Sequence, residues 1–529
     1  MKKDLLLLAV LSIGMAACTN DVVSPGDNIQ EDINEELSKS NLQNVDLISI
    51  ASSQSRVTQL PQTRADEAGE LELIAEIANP SSEISGFIKE GRDMSATCVF
   101  YNSEKDKYFV TYHMQGNNYN TDQNVETIGF IEEFSVKPSE EDNGKYVIDL
   151  KNLYTSQSNR TFDFNHIYFD NLAQHSGVSS SVAEDRIIVA GHLSEATSTG
   201  KKQTKAIIGK LNLDESSMTY SVVNTGNKIL DEDGKSLGDE DALDVNCVVR
   251  RYNTYYLATR KGIALLNGRD EYLFQPMKDH VGNDYFVTTP GSVKHVAFDG
   301  GYSKVTFLYL TKDFPENFDY ESAIDAKIAK FDISNVMNDI NDRESHVGYL
   351  GSGNSWETFL SDVKNDNLLD YVQSDSWNID IPNVSPVDGK NVLFMMPVGE
   401  SQYYAACGKA GLYFKNDNSG QYDQSNAGHL TFGNRPVNGV FVDEGRDNEH
   451  HNGFIYVANG SKLTIFNRYK LDEVASFNLP QRETGSANYV TVRRDTEYNE
   501  FGTYDRIITV AFGQAGVKIF RFSPKNLWD

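Results

Sequence analysis

The chain is short of cysteine, of basic charge and of long helical patterning, and each shortage excludes something. Only four cysteines occur in 529 residues. Cys98, Cys247 and Cys407 stand far apart in apolar runs ("SATCVF", "VNCVV", "YYAACG"), with no zinc-type spacing among them. The expectation is three free, buried thiols that pack as small hydrophobes, with no metal and no cofactor. Lysine and arginine number 48 against 76 acidic residues, a net charge of −28. Such a field repels polyanions, which argues against nucleic acid and anionic lipid as partners. The sequence G-x-S-x-G is absent, so nothing marks a nucleophile elbow. After the first eighteen residues, no apolar stretch reaches the ~20 residues of a membrane-spanning helix.

Residues 19–69 contain no Phe, Tyr or Trp and are rich in Ser, Asn, Asp, Glu and Gln. A stretch of that kind buries too little apolar area to offset its ordering entropy. It predicts a flexible tether over 19–69, about 40 Å long on average. Before it, Lys2 and Lys3, the apolar run Leu5 to Ile13, and Met15-Ala16-Ala17-Cys18 read as a signal peptide over 1–18. This ending resembles the lipobox of bacterial lipoproteins, which implies that Cys18 is acylated, with palmitate among the chains, and becomes the membrane anchor. By the same resemblance, Thr19 after the cysteine implies the outer membrane. The side of that membrane stays open.

What the chain has in abundance is short strand signals. Aromatic residues make up 11% of it, mostly Tyr and Phe, which suits pleated surfaces. Seven apolar runs recur: "DKYFVTY", "DRIIVAG", "TYYLATR", "VTFLYLT", "QYYAACG", "GFIYVAN" and "RIITVAF". Each is followed by an alternating run, as "AGLYFKN" follows Gly-Lys-Ala-Gly and "GVKIFRF" follows Gly-Gln-Ala-Gly. A third run such as "VNCVVRR" precedes most pairs, and a fourth such as "EVASFNL" often follows. Four short strands repeated seven times predict an all-β chain, a seven-bladed β-propeller with four-stranded blades over 70–529. The last repeat lacks an outer strand, and "ELELIAEIANP" (70–80) reads like one. The N-terminal strand is therefore predicted to close the last blade, leaving no open edge.

The Gly-x-Ala-Gly hairpins and the runs that follow resemble the LVIVD-type propeller repeat, and the whole chain resembles the propeller lipoproteins of Bacteroides-type bacteria. The resemblance implies a scaffold in the cell envelope and no particular reaction.

Candidate sites are sparse. Aligning the innermost strands puts Thr97, Asn246, Lys294, Asn438 and Asn488, with Ser180 as a further candidate, at one equivalent position, predicted to line a central channel. That ring offers amides and hydroxyls but no carboxylate or imidazole, so it is no metal site. The acidic stretch "ILDEDGKSLGDED" (229–241) has the turn glycine of a calcium loop at Gly234, but Ile229 stands where the first carboxylate belongs. It reads as a solvated loop. "DEGRDNEHHNG" (443–453) reads as a charged hairpin tip.

Loop length carries the remaining information. The expanded segments 114–125, 192–204 and 311–325 join second strands to third, and 151–176, 223–243 and 334–385 are taken to join one blade to the next. All six would then share one face. Their aromatics, Tyr119, Phe314, Tyr320, Trp356 and Trp377, are the candidate ligand-binding residues, suited to a glycan or a protein. The reading is a lipid-anchored, monomeric, non-catalytic binding or scaffold propeller. The alternative is an envelope hydrolase or lyase acting on glycans.

Overall fold

The computed structural model describes residues 42–62, 69–81, 93–115, 129–141, 145–156, 160–170, 186–196, 202–251, 254–268, 273–276, 286–298, 304–312, 324–332, 379–382, 394–397, 403–415, 427–443, 453–468, 470–499 and 503–524. Among these the regular structure is strand, apart from one 3-10 turn at Gln54–Arg56. The strands form antiparallel four-stranded units, each running in order from a first strand to a fourth.

Unit I consists of Asp93–Asn102, Lys107–Gln115, Gly129–Pro138 and Tyr146–Ser156, and unit II of Arg160–Asp170, Arg186–Ala196, Lys202–Asn212 and Ser217–Val222. Unit III is Val245–Arg251, Thr254–Thr259, Gly262–Asn267 and Phe286–Thr288. Unit IV is Val293–Phe298, Lys304–Leu310, Ala326–Asp332 and Ile379–Ile381. Unit V is Phe394–Pro397, Tyr403–Ala406, Leu412–Lys415 and Ala427–Leu430, and unit VI is Val437–Asp443, Phe454–Asn459, Lys462–Asn467 and Glu473–Asn478. Unit VII is Tyr489–Tyr498, Tyr504–Ala511 and Val517–Ser523, completed by the N-terminal strand Glu70–Ile77.

Burial explains the sequence patterns. Second strands such as Thr254–Thr259, Tyr403–Ala406 and Phe454–Asn459 are buried along their whole length. A strand covered on both faces reads as a continuous apolar run. The outer strand Glu473–Asn478 mixes exposed and half-buried residues, with Val474 and Ala475 both half-buried where its pairing shifts register, and it keeps one wet face. The apolar clusters lie between successive units. One joins Ile188, Ala190 and Ile208 of unit II to Val248, Tyr255 and Leu257 of unit III. Others join IV to V, V to VI and VI to VII. A further cluster contains residues of units I, II and VII together, including Cys98, Ile167 and Ile507.

The N-terminal segment departs from expectation. Residues 42–62 belong to the sheet structure and not to a tether. Strand β1 (Gln43–Ala51) pairs through Gln43–Asp46 with the outer strand of unit II, and through Leu47–Ala51 with the outer strand of unit I. The result is one nine-stranded sheet made of units I and II. Strand β2 (Val57–Gln59) pairs with β3 (Glu70–Ile77), and β3 pairs in turn with Val517–Ser523. Between β1 and β2, Arg56 is buried against the fully buried Glu132 of unit I. It also donates to the Ala78 carbonyl at 2.7 Å. The composition of 19–69 hid this because β1 needs only Leu47 buried and takes its stability from two ready-made sheet edges.

Two connections also differ. Segment 151–176 is mostly strand, containing the first strand of unit II. Residues 333–378 join the third strand of unit IV to its fourth, since Ile379–Ile381 pairs with Ala326–Ile328. In an antiparallel unit that connection leaves from the end opposite to 313–323, which joins the second strand to the third. The long segments therefore do not share one face.

Candidate functional site

The innermost strands carry a bulge at one repeated position. The register shifts between Ala96 and Cys98, Phe164 and His166, Val245 and Cys247, Val293 and His295, and Val437 and Gly439. The extra residues are thus Thr97, Asn165, Asn246, Lys294 and Asn438, and Asn488 stands just before the equivalent strand of unit VII. A bulge leaves its extra residue without a ladder partner, and here the three bulge asparagines, joined by Asn488, bond in the same way. Asn165 Nδ2 donates to the Val245 carbonyl at 3.0 Å, and Asn246 Nδ2 to that of Val293 at 2.7 Å. Asn438 Nδ2 donates to Ala487 at 3.0 Å, and Asn488 Nδ2 to Ala96 at 3.1 Å. Each amide clasps the next unit just before that unit's own bulge, and the last one returns from unit VII to unit I.

The sequence alignment thus located four of the five bulge positions, together with Asn488 at the start of unit VII, and assigned them to the channel wall. Their amides are committed to fastening units together. Thr97 differs: its hydroxyl donates to the Thr111 carbonyl of its own unit at 2.9 Å. Lys294 is half-buried, and burial lowers its amine to about 8, with Asp244 partly opposing the shift. Asn165 escaped the alignment because its strand lies inside a segment read as an insertion.

The Gly-x-Ala-Gly hairpins serve the same fastening. Gly408 exchanges both backbone hydrogen bonds with Val437 of unit VI (2.8 and 2.9 Å), and the Gly513 carbonyl accepts from Ala96 N of unit I at 3.0 Å. Both glycines have positive φ, 57° and 60°, a region that favours glycine. The closing glycines meet the outer strand: a Cβ on Gly411 would lie 2.3 Å from the Leu430 carbonyl oxygen, and on Gly516 2.2 Å from that of Ile77. The repeated hairpin thus binds the next unit with its first glycine and admits the fourth strand with its last.

One residue beyond the bulge, the innermost strands bring together groups with no neighbourhood in the sequence. His166, Cys247 and His295 occupy this position in units II, III and IV, and one ligand atom from each lies within 4.8 Å of the others. Cys247 Sγ is 3.9 Å from His166 Nε2 and 3.6 Å from the Val296 carbonyl oxygen. Phe100 packs edge-on against His166, with centroids 5.2 Å apart. Burial lowers the His166 imidazole to about 4, and burial followed by His166 lowers His295 to about 3. Burial raises the Cys247 thiol to about 12. Both imidazoles are therefore neutral near pH 7.

A second polar chain crosses units I to III. Asp163, fully buried, lies 2.8 Å from His113 Nδ1 and 4.0 Å from His192 Nε2. His192 Nδ1 is 3.4 Å from Asp244, which also accepts from Asn165 Nδ2 at 2.7 Å. Asp163 serves His113 across the boundary between units I and II and His192 within unit II, and the chain ends on a residue of the amide clasp.

The other sequence candidates fare unevenly. Cys98, Cys247 and Cys407 are free and buried, as expected. The acidic stretch 229–241 forms the tip and flanks of a hairpin, Asn224–Leu230 with Ser236–Asp241, between units II and III. At its turn the Asp231 carboxylate accepts from the amides of Asp233 and Lys235, at 3.1 and 2.7 Å. Ile229 and Leu230 are 47% and 57% exposed there, and Val147 is the other large apolar side chain that stands out among the described residues. Cys18, Tyr119, Ser180, Phe314, Tyr320, Trp356 and Trp377, along with His450 and His451, lie outside the described residues. No helix among the described residues is long and apolar enough to cross a membrane.

No family model matches the chain, and no curated protein does. Among solved structures it is similar to BBS1N in complex with ARL6DN, at 9% identity and a TM-score of 0.36, covering 74% of this chain and 89% of that one. It is also similar to Sqt1 of Saccharomyces cerevisiae, at 8% identity and a TM-score of 0.38, covering 83% and 98%. At such TM-scores the likeness carries no argument about function.

Proposed function

We propose that units I to VII are the blades of a seven-bladed β-propeller of the LVIVD type, which acts in the cell envelope as a non-catalytic binding or scaffold protein for a protein partner. The observation that carries this reading is the hairpin between units II and III. It exposes Ile229 and Leu230, consecutive in the chain, to solvent, on an arm bearing Asp231, Glu232, Asp233, Asp239 and Glu240. Exposed apolar residues rimmed by charge suit a protein contact, here with a surface that has an apolar notch and a basic rim. Tyr119, Phe314 and Tyr320 belong to connections from second strands to third, which leave from the same end of their units as this hairpin. They are the proposed companion contacts for a protein or a glycan. Trp356 and Trp377 belong to the connection at the other end and form no part of this surface.

The double substitution Ile229→Asp and Leu230→Asp should weaken partner retention by at least tenfold, at about 1.4 kcal/mol per decade of affinity. The melting temperature should hold, because surface changes usually stay within about 0.5 kcal/mol. Affinity purification from envelope extract with both proteins as bait checks this. A partner that co-purifies equally with the double variant sinks the hairpin as its site.

The proposed anchor is Cys18 in the outer membrane. Cys18→Ser should move the protein from the membrane fraction to the soluble one and abolish labelling by palmitate analogues. Retention of the unlabelled variant in membranes would refute the anchor.

A further inference from the structure

His166, Cys247 and His295 come from three successive units, yet they fall at one register position, directly after the bulge. At that position unit I carries Cys98, outside the cluster, and units VI and VII carry Gly439 and Tyr489, so the backbone does not require a metal-ligating side chain there. We propose that His166, Cys247 and His295 form a binding site for one zinc ion, with a fourth coordination position open to water.

The geometry is close to that of a loaded site. Zinc–sulfur bonds of about 2.3 Å and zinc–nitrogen bonds of about 2.0–2.1 Å in a tetrahedron put sulfur and nitrogen about 3.5 Å apart. Cys247 Sγ and His166 Nε2 are 3.9 Å apart, and all three ligand atoms fall within 4.8 Å. Side-chain rotation of about an ångström closes the set. The donors select the ion: a thiolate and two imidazoles suit zinc, while calcium and magnesium demand oxygen ligands that this set lacks. Three protein ligands and an open fourth position are the pattern of zinc sites that bind a further small ligand.

His166 Nδ1 is buried with no hydrogen-bond partner, so the ring is free to turn about its side-chain bonds toward an ion held at Nε2. Burying such polar rings and a thiol side by side is costly unless something joins them. On binding, the Cys247 thiol releases its proton to solvent and its sulfur pair forms the zinc–sulfur bond. Each imidazole contributes a nitrogen lone pair and releases no proton.

Full-length protein purified without chelator should contain one zinc per chain. After exchange into cobalt(II), it should show a thiolate-to-metal charge-transfer band. Cys247→Ser should lose that band, and His295→Gln should weaken cobalt binding at least tenfold, while Cys407→Ser leaves both unchanged. Zinc held elsewhere, for example by His450 and His451, would give no thiolate band. Wild-type protein that binds cobalt without the band, or a band that persists in Cys247→Ser, overturns the proposal. Copper in place of zinc in the purified protein overturns the choice of ion. If Cys247→Ser fails to fold, the wild-type band and the His295→Gln affinity still decide.

Discussion

Arg56→Met should destabilise the protein by about 3–5 kcal/mol, the cost of leaving a buried charge without its partner. Arg56 is 6% exposed and Glu132 is fully buried, and the two are ion-paired. With the guanidinium gone, Glu132 retains among the described residues two neutral donors, the Tyr112 hydroxyl at 2.8 Å and the Ser52 hydroxyl. Those bonds place the expected loss toward the lower end of the range. The double variant Arg56→Met with Glu132→Met should recover most of the stability, because apolar residues often replace a buried pair without net cost. Denaturant midpoints of the three proteins measure this. A loss below about 1 kcal/mol in Arg56→Met would mean that residues 52–56 do not hold the observed place in the core. The contrast with a flexible tether is then direct, since a tether residue should tolerate the change within about 0.5 kcal/mol.

This segment shows what composition conceals. Averaged over 19–69, the absence of aromatics and the excess of polar residues describe a chain that cannot build a core alone. It need not build one. The half-strands Gln43–Asp46 and Leu47–Ala51 each complete an edge that units II and I already offer, so backbone hydrogen bonds do what buried area cannot. The second strands were legible for the opposite reason. Runs such as "TYYLAT" are buried on both faces, and their apolar character survives without any knowledge of their neighbours.

The candidate sites follow the same division. The bulge position could be aligned by its repeated context, a valine before it and apolar residues after it, in units III, IV and VI. Its chemistry could not be read, because whether an asparagine faces open space or the next unit's carbonyl depends on how the units pack. The cluster of His166, Cys247 and His295 was invisible for a simpler reason. Its members are separated by 81 residues between His166 and Cys247, and the strand carrying His166 sat in a segment read as an insertion. Zinc signatures in sequence are short because their ligands share one loop, whereas here the ligands share only a register. The completion of unit VII by residues 70–77 was legible, since the repeat counts one strand too few at its end and one too many at its start.

Removing β1 to β3, residues 42–80, should prevent folding or leave a protein that melts far below the full-length chain. Strand β3 is the outer strand of unit VII, paired from Glu70 opposite Ser523 to Ile77 opposite Val517. Its Ile74, Ala75 and Ile77 are fully buried. It also neutralises charges that unit VII buries: Glu76 bonds Lys518 Nζ at 2.5 Å, and Glu72 bonds Arg521 at 2.6 Å. Lys518 and Arg521 are 1% and 5% exposed. Lys518 keeps Glu483 at 2.8 Å. The truncation also strips β1 from units I and II, exposing the outer edges of both and opening their joined sheet. An unpaired edge with a buried apolar face is a template for self-association, so the truncated chain should sediment as aggregate where the full-length chain does not. A synthetic peptide of residues 69–81, added in trans during refolding, separates the contribution of β3 from that of β1. Recovery of part of the lost stability by this peptide, and none by one carrying Ile74→Asp and Ile77→Asp, would assign that part to the closing strand. A truncated protein as stable as the full chain would show that unit VII does not depend on its N-terminal partner.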